Sequence, residues 1–218
     1  MTQTSLAERL NTKQAFDILV TDALEQPELI NDLLAIMQSD RGSLKFKAEK
    51  VIRAVSEQQP AVLLPHIDLL ASLTKSSNNF IKWGAIITLS NLFMADKDHQ
   101  HEKHLPEYLA LIHADDIITA GNAISNMWKV VRAYTDQEQE ITSHLLSVPS
   151  IIYQHKGSPS PECNRVVCGH LLDCFDRYYE ISGSKQEIRA FAELQVNSSR
   201  PAVAKKAAAF LKRHKKFS

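Results

Sequence analysis

Glycine and proline are scarce in this chain of 218 residues, at 6 and 8. So few turn punctuators argue against a domain of many short strands and for long helices. Only three cysteines occur, Cys163, Cys168 and Cys174, an odd and clustered set. They do not form a disulfide framework, which makes a reducing cytoplasm the expected compartment. Net charge is missing as well, since 25 Lys+Arg balance 25 Asp+Glu. Bulk charge therefore gives no pull toward nucleic acid or membrane, and local patterning would have to supply it. No run approaches about 18 consecutive apolar residues, so no membrane span is expected. The first residues, MTQTSLAERLNTKQAF, carry no apolar stretch of the secretory kind.

What is present is helical periodicity along nearly the whole chain. The pattern predicts helices near 4–10, 13–25, 28–39, 43–58, 61–75, 79–95, 104–114, 116–134, 138–155, 161–181, 185–196 and 201–215. Polar breaks such as 75–79, 95–99 and 157–161 separate them. Pro161 and Pro201 fit the first turn of a helix, where a missing N–H costs nothing. Pro65 and Pro149 fall inside apolar stretches and are expected to kink or restart a helix.

A repeat underlies the pattern. An anchor residue is followed by a small residue four later and a large apolar one four after that. Leu44–Ala48–Ile52, Ile81–Ala85–Leu89, Thr119–Ala123–Met127, Asn164–Cys168–Leu172 and Val203–Ala207–Leu211 all follow it. The anchors lie 37, 38, 45 and 39 residues apart, and the long step contains the Gly157-Ser-Pro-Ser-Pro insertion. A small residue at mid-helix lets a hairpin partner approach closely. The first helix of each unit supplies the opposing stripe, as Leu64, Ile67, Leu70 and Leu73 do.

This pattern resembles HEAT repeats. The second unit carries Leu63-Leu64-Pro65 and then Ile81-Lys82-Trp83-Gly84-Ala85. Lys45, Lys82 and Arg165 occupy the basic slot after the anchor, while Ala120 and Ala204 depart from it. The resemblance covers roughly residues 28–215. It implies an all-α fold, a right-handed α-α superhelix of about five helical hairpins with an N-terminal helical segment. The expected organisation is a single domain over 1–218, with a cap at 1–27 and repeats at 28–58, 61–95, 104–134, 138–181 and 185–215.

The resemblance also implies that the second helices line the surface used for binding. Positions +2, +6, +9 and +13 from each anchor point away from the hairpin core at 100° per residue. Among those twenty positions seven are basic and two acidic, and both tryptophans fall there. Phe46, Lys50, Arg53, Trp83, Ile87, Trp128, Arg132, His170, Arg177 and Lys212 are the candidate binding residues. Aromatic anchors in a cationic lining suit an acidic or amphipathic protein segment. The bland alternative is that the rings pack between repeats and the charges are a solvated face.

Chemistry-bearing clusters are thin. His99, His101 and His104 share a predicted loop without a second ligand set. Cys163, His170 and Cys174 share a helix face but spread over about 17 Å, too far for one zinc shell. The cysteines are expected to be buried or semi-buried thiols. Asp116 is expected to cap a helix, and Asp173 and Asp176 to be surface charge. The basic tail from Lys205 is expected to meet a helix dipole and cap the last repeat. No phosphate-loop, dinucleotide, nucleophile-elbow or zincin motif occurs. The leading expectation is thus a scaffold without catalytic residue, cofactor or metal, binding a protein or peptide. The alternative is a nucleic-acid-binding protein like the HEAT-like DNA glycosylases, although that family's catalytic carboxylate and aromatic pair map to no specific positions here.

Overall fold

The computed structural model describes residues 5–12, 15–39, 42–155 and 157–215. The chain divides into two compact units, 1–101 and 102–218.

In the first unit α1 (Leu6–Asn11) and α2 (Ala15–Glu25) precede two hairpins. Ser5 and Glu8 form a reciprocal capping box at the start of α1. The first hairpin is α3 (Pro27–Gln38) on α4 (Leu44–Gln58); the second is α5 (Ile67–Leu73) on α6 (Asn79–Ala95). Pro65 acts as expected. A 3-10 segment, Pro60–His66, contains it, and the α-helix restarts at Ile67. Asn78 caps α6, its Oδ1 accepting from the N–H groups of Phe80 and Ile81 at 3.1 and 3.3 Å. The small slots work as read, with Ala48 and Ala85 buried between Ile52, Ile81 and Leu89 of the same core. Leu44 is only half-buried.

The α4–α6 contact has a second small residue, which the repeat pattern does not mark. Gly84 faces Glu49 so closely that an added Cβ would fall 2.1 Å from its Oε1. Glu49 is itself buried, and Arg53 Nε donates to its Oε1 at 2.9 Å. Burial pushes the Glu49 carboxyl upward, and the Arg53 charge offsets this only in part. Lower on the same seam Asn91 Nδ2 donates to Ser56 Oγ at 2.9 Å.

In the second unit α7 (Leu105–Ala110) leads into a 3-10 turn, Leu111–His113, that packs on α8 (Ile117–Ala133). Asp116 caps α8 as expected, accepting from the N–H groups of Ile118 and Thr119. Then come α9 (Glu138–Ser147), α10 (Pro161–Tyr178), α11 (Lys185–Gln195) and α12 (Pro201–Arg213). Pro161 and Pro201 open their helices. Ala123, Cys168 and Ala207 fill the small slots and are buried.

The helix expected over 138–155 ends early. Pro149 sits in a 3-10 turn, Val148–Ser150. The chain then turns through a ribbon of β1 (Gln154–His155) and β2 (Ser158–Pro159), with Gly157 at φ +77°. Two side chains stitch this insertion down. Tyr153, fully buried, donates its hydroxyl to the Ile112 carbonyl at 2.7 Å. Asn164 donates its amide to the carbonyls of Ile151 and Pro149, which explains a polar residue at that anchor. Nearby, the buried Glu138 accepts from Thr142 (2.7 Å), Ser182 (2.5 Å) and the Gly183 N–H (3.0 Å), while Thr142 also meets the Tyr178 hydroxyl at 2.8 Å. Every donor around this carboxylate is satisfied by it, so it clamps α9 to the end of α10.

Asp173 and Asp176 are more than surface charge. They hold α12 on α10, pairing with Lys206 and Arg213. The ring of the buried His214 lies between Asp176 (2.8 Å) and Glu180 (3.1 Å) and against Tyr179 and Phe210. Within the basic tail, Lys206, Arg213 and His214 are thus matched by α10.

Two outcomes are expected. Gly84→Ala should destabilise by about 1–3 kcal/mol through overpacking, and Glu49→Ala should recover most of the loss; a urea double-mutant cycle measures the coupling. The sign for Glu49 follows from linkage: its native state holds the proton more readily than the unfolded chain, so its contribution to stability falls as pH rises above about 4.3. Glu49→Gln, which keeps the neutral form, should therefore lose less Tm than the parent between pH 4.5 and 7.

Candidate functional site

The outward side of the second helices is built differently in the two units. In the first unit it is aromatic. Phe46 on α4 meets Phe80 on α6 edge-to-face, with ring centroids 5.5 Å apart, and Phe80 meets Trp83 in the same way at 5.6 Å. Such pairs contribute about 0.5–1.5 kcal/mol each beyond their burial. Phe46 and Trp83 are half-buried, but Phe80 is 65% exposed. Lys45 lies over the Phe46 ring at 5.6 Å, and Lys50 is exposed one turn further on. Arg53 turns to Glu49 and Glu57, so its charge is matched from within the helix. Ile87 is half-buried along the same helix as Trp83.

In the second unit the face is cationic. The half-buried Trp128 indole has Lys129, Arg132 and Arg177 around its ring, at 5.8, 5.7 and 5.6 Å from the centroid. Lys129 and Arg132 come from α8, and Arg177 from α10. Arg132 Nη2 donates to the Arg177 backbone carbonyl at 2.7 Å, which ties the Arg132 side chain to α10. Each exposed cation–π contact is worth about 0.5–1 kcal/mol. More informative is what these arginines lack. Six of the eight described arginines pair with a carboxylate: Arg9, Arg53, Arg165, Arg189, Arg200 and Arg213. Among the described residues no carboxylate pairs with Arg132 or Arg177, and both are exposed.

His170 is placed differently from its sequence expectation. It is half-buried between α8 and α10, its Nδ1 3.0 Å from Ser125 Oγ and its ring against Gly121. Burial lowers its pKa, and the Lys206 charge adds to that. Its ring thus sits at the contact between α8 and α10. Lys212 is exposed on α12; Lys216, on the same expected stripe, lies outside the described residues.

The three cysteines are free and buried, as expected. Burial pushes the Cys168 thiol up to about 11 and that of Cys174 higher. Both thiols stay protonated at neutral pH, which is unsuited to nucleophilic or metal-binding work. Among the described residues no three His, Cys, Asp or Glu side chains converge to hold a metal ion. No helix of the described residues is long and apolar enough to cross a membrane. A groove of about 350 Å³ lies between α7 and α9, floored by Leu105 and Leu109 and rimmed by Glu102, Glu140, His113 and His144.

Two contributors were missed in the sequence. Phe80 stands one residue before the Ile81 anchor, and a count starting at the anchor passes over it. At 100° per residue that position lies about 20° from the +6 position, so extending the count back by one would have found it. Lys129 was missed for the same reason: it falls beside the counted positions rather than on them.

The backbone is similar to that of a designed armadillo repeat protein, with a TM-score of 0.55, 15% sequence identity, and coverage of 94% of this chain and 97% of that chain. No protein-family model and no curated protein matches the sequence. At 15% identity the likeness concerns the fold alone. The chain folds as an armadillo-like, all-α superhelical stack of helical hairpins; no family model singles out the HEAT type among such repeats.

Proposed function

We propose that this chain is a non-enzymatic scaffold that binds an acidic segment of another protein on its second-helix face, with Arg132 and Arg177 as the charged contacts and Trp128 beneath them. The observation that carries this reading is the pair of carboxylate-free guanidiniums over one indole. Elsewhere in this neutral chain the described arginines are spent on internal ion pairs. Guanidinium N–H groups match a carboxylate in planar, two-point geometry. Ring support preorganises them, so less side-chain entropy is lost on binding. Stacked helical repeats as a class present extended binding surfaces of this kind.

The double variant Arg132→Glu/Arg177→Glu tests the reading. Its affinity for a fluorescein-labelled glutamate-rich peptide should fall at least tenfold while its Tm stays within a few degrees, since both side chains are exposed. Unchanged anisotropy titrations would remove this face from consideration. A single-stranded oligonucleotide that binds more tightly than the peptide, with affinity falling steeply in salt, would favour phosphate as the ligand instead.

A further inference from the structure

We infer that Phe80 heads a separate docking subsite on the first unit, which takes a bulky apolar side chain of a protein segment whose neighbouring residues are acidic. The inference rests on the reading that this chain binds a protein segment, and it concerns the first unit by itself.

The ring is exposed to 65%, yet it is not loose. Phe46 on one helix and Trp83 on the other each meet it edge-to-face, so the surface aromatic is held from both sides. It sits in the first turn of α6, whose backbone is fixed by the Asn78 cap. An aromatic presented in a fixed position loses little entropy when a partner covers it, which is what an interface anchor requires. Nothing in the fold needs the exposure. Ile81, Ala85 and Leu89 already fill the hairpin core below it.

Charge selects the occupant. Lys45 lies over Phe46 and forms no ion pair. The carboxylates nearby, Glu49 and Glu57, are both engaged by Arg53. The N-terminal turn of α6 adds the positive end of a helix dipole. An apolar surface bordered by the unpaired Lys45 and a helix N-terminus fits an apolar side chain with carboxylates beside it. A second copy of this chain fits poorly, because its own Lys45 would enter with the same sign.

The test uses the full chain and two labelled twelve-residue peptides, one alternating Glu and Phe, the other alternating Glu and Ala. The Glu/Phe peptide is expected to bind about tenfold more tightly. Phe80→Ala should remove most of that preference and leave the Glu/Ala affinity unchanged, with Tm lowered by only a few degrees through the two lost ring contacts, whereas Phe80→Leu should keep the preference. Equal affinity of the parent for both peptides would overturn the proposal, as would a Phe80→Ala variant that keeps the preference. The same peptides on Arg132→Glu/Arg177→Glu separate the two readings. If that variant loses all binding and Phe80→Ala loses none, the acidic site stands and the Phe80 subsite falls. If the reverse holds, the subsite stands alone. Sedimentation of a dimer that Phe80→Ala converts to monomer would assign the patch to self-association and also overturn the proposal.

Discussion

Close approach between neighbouring helices is the constraint on which the other features depend, above all α4 with α6 in the first unit and α8 with α10 in the second. The small residues at the middle of the second helices, Ala48 and Ala85 in the first unit and Ala123, Cys168 and Ala207 in the second, are all buried. With the backbones this near, the side chains beside each slot must interlock, be polar and satisfied, or leave the interface. The core stripes interlock. Asn91 with Ser56, and Ser125 with His170, are the satisfied polar choices. On the outer face, rings and guanidiniums meet one another across adjacent helices, in the aromatic row of the first unit and in the Trp128 cluster of the second.

Charge in this protein is spent locally. Ion pairs at the surface contribute little to stability, typically about 0–1 kcal/mol each. The pairs from α12 to α10 are therefore better understood as orienting devices, with the buried His214 between two carboxylates as their centre. Glu138 has the same character in a drier setting, where three donors converge on one carboxylate. Against that habit of pairing, the two unmatched arginines over Trp128 stand apart.

The repeat was legible because its signal is a spacing, and spacing survives divergent side chains. Ala48, Ala85 and Ala123 were identifiable as core on that basis alone, as was the role of Pro65. What the sequence hid depends on contacts between helices distant in the chain. The Asp173 and Asp176 carboxylates look solvated until α12 folds back onto them. His170 counts as outward on a helical wheel, but the neighbouring helix α8 covers it. The residues 148–155 are apolar enough to read as helix, and only Tyr153 and Asn164, by bonding backbone carbonyls far away in sequence, show why they are not. Gly84 is the same kind of case, since a glycine beside a buried acid leaves no trace in periodicity.

The contact between Gly84 and Glu49 also bears on how modular the array is. Repeat proteins are often treated as stacks of exchangeable units, and a consensus alanine is the natural replacement for a helical glycine. Here the residue that would have to move belongs to the preceding repeat, and that residue, Glu49, also accepts from Arg53. The two repeats are therefore coupled at this contact: an averaged alanine in one calls for a matching change at Glu49 in the other.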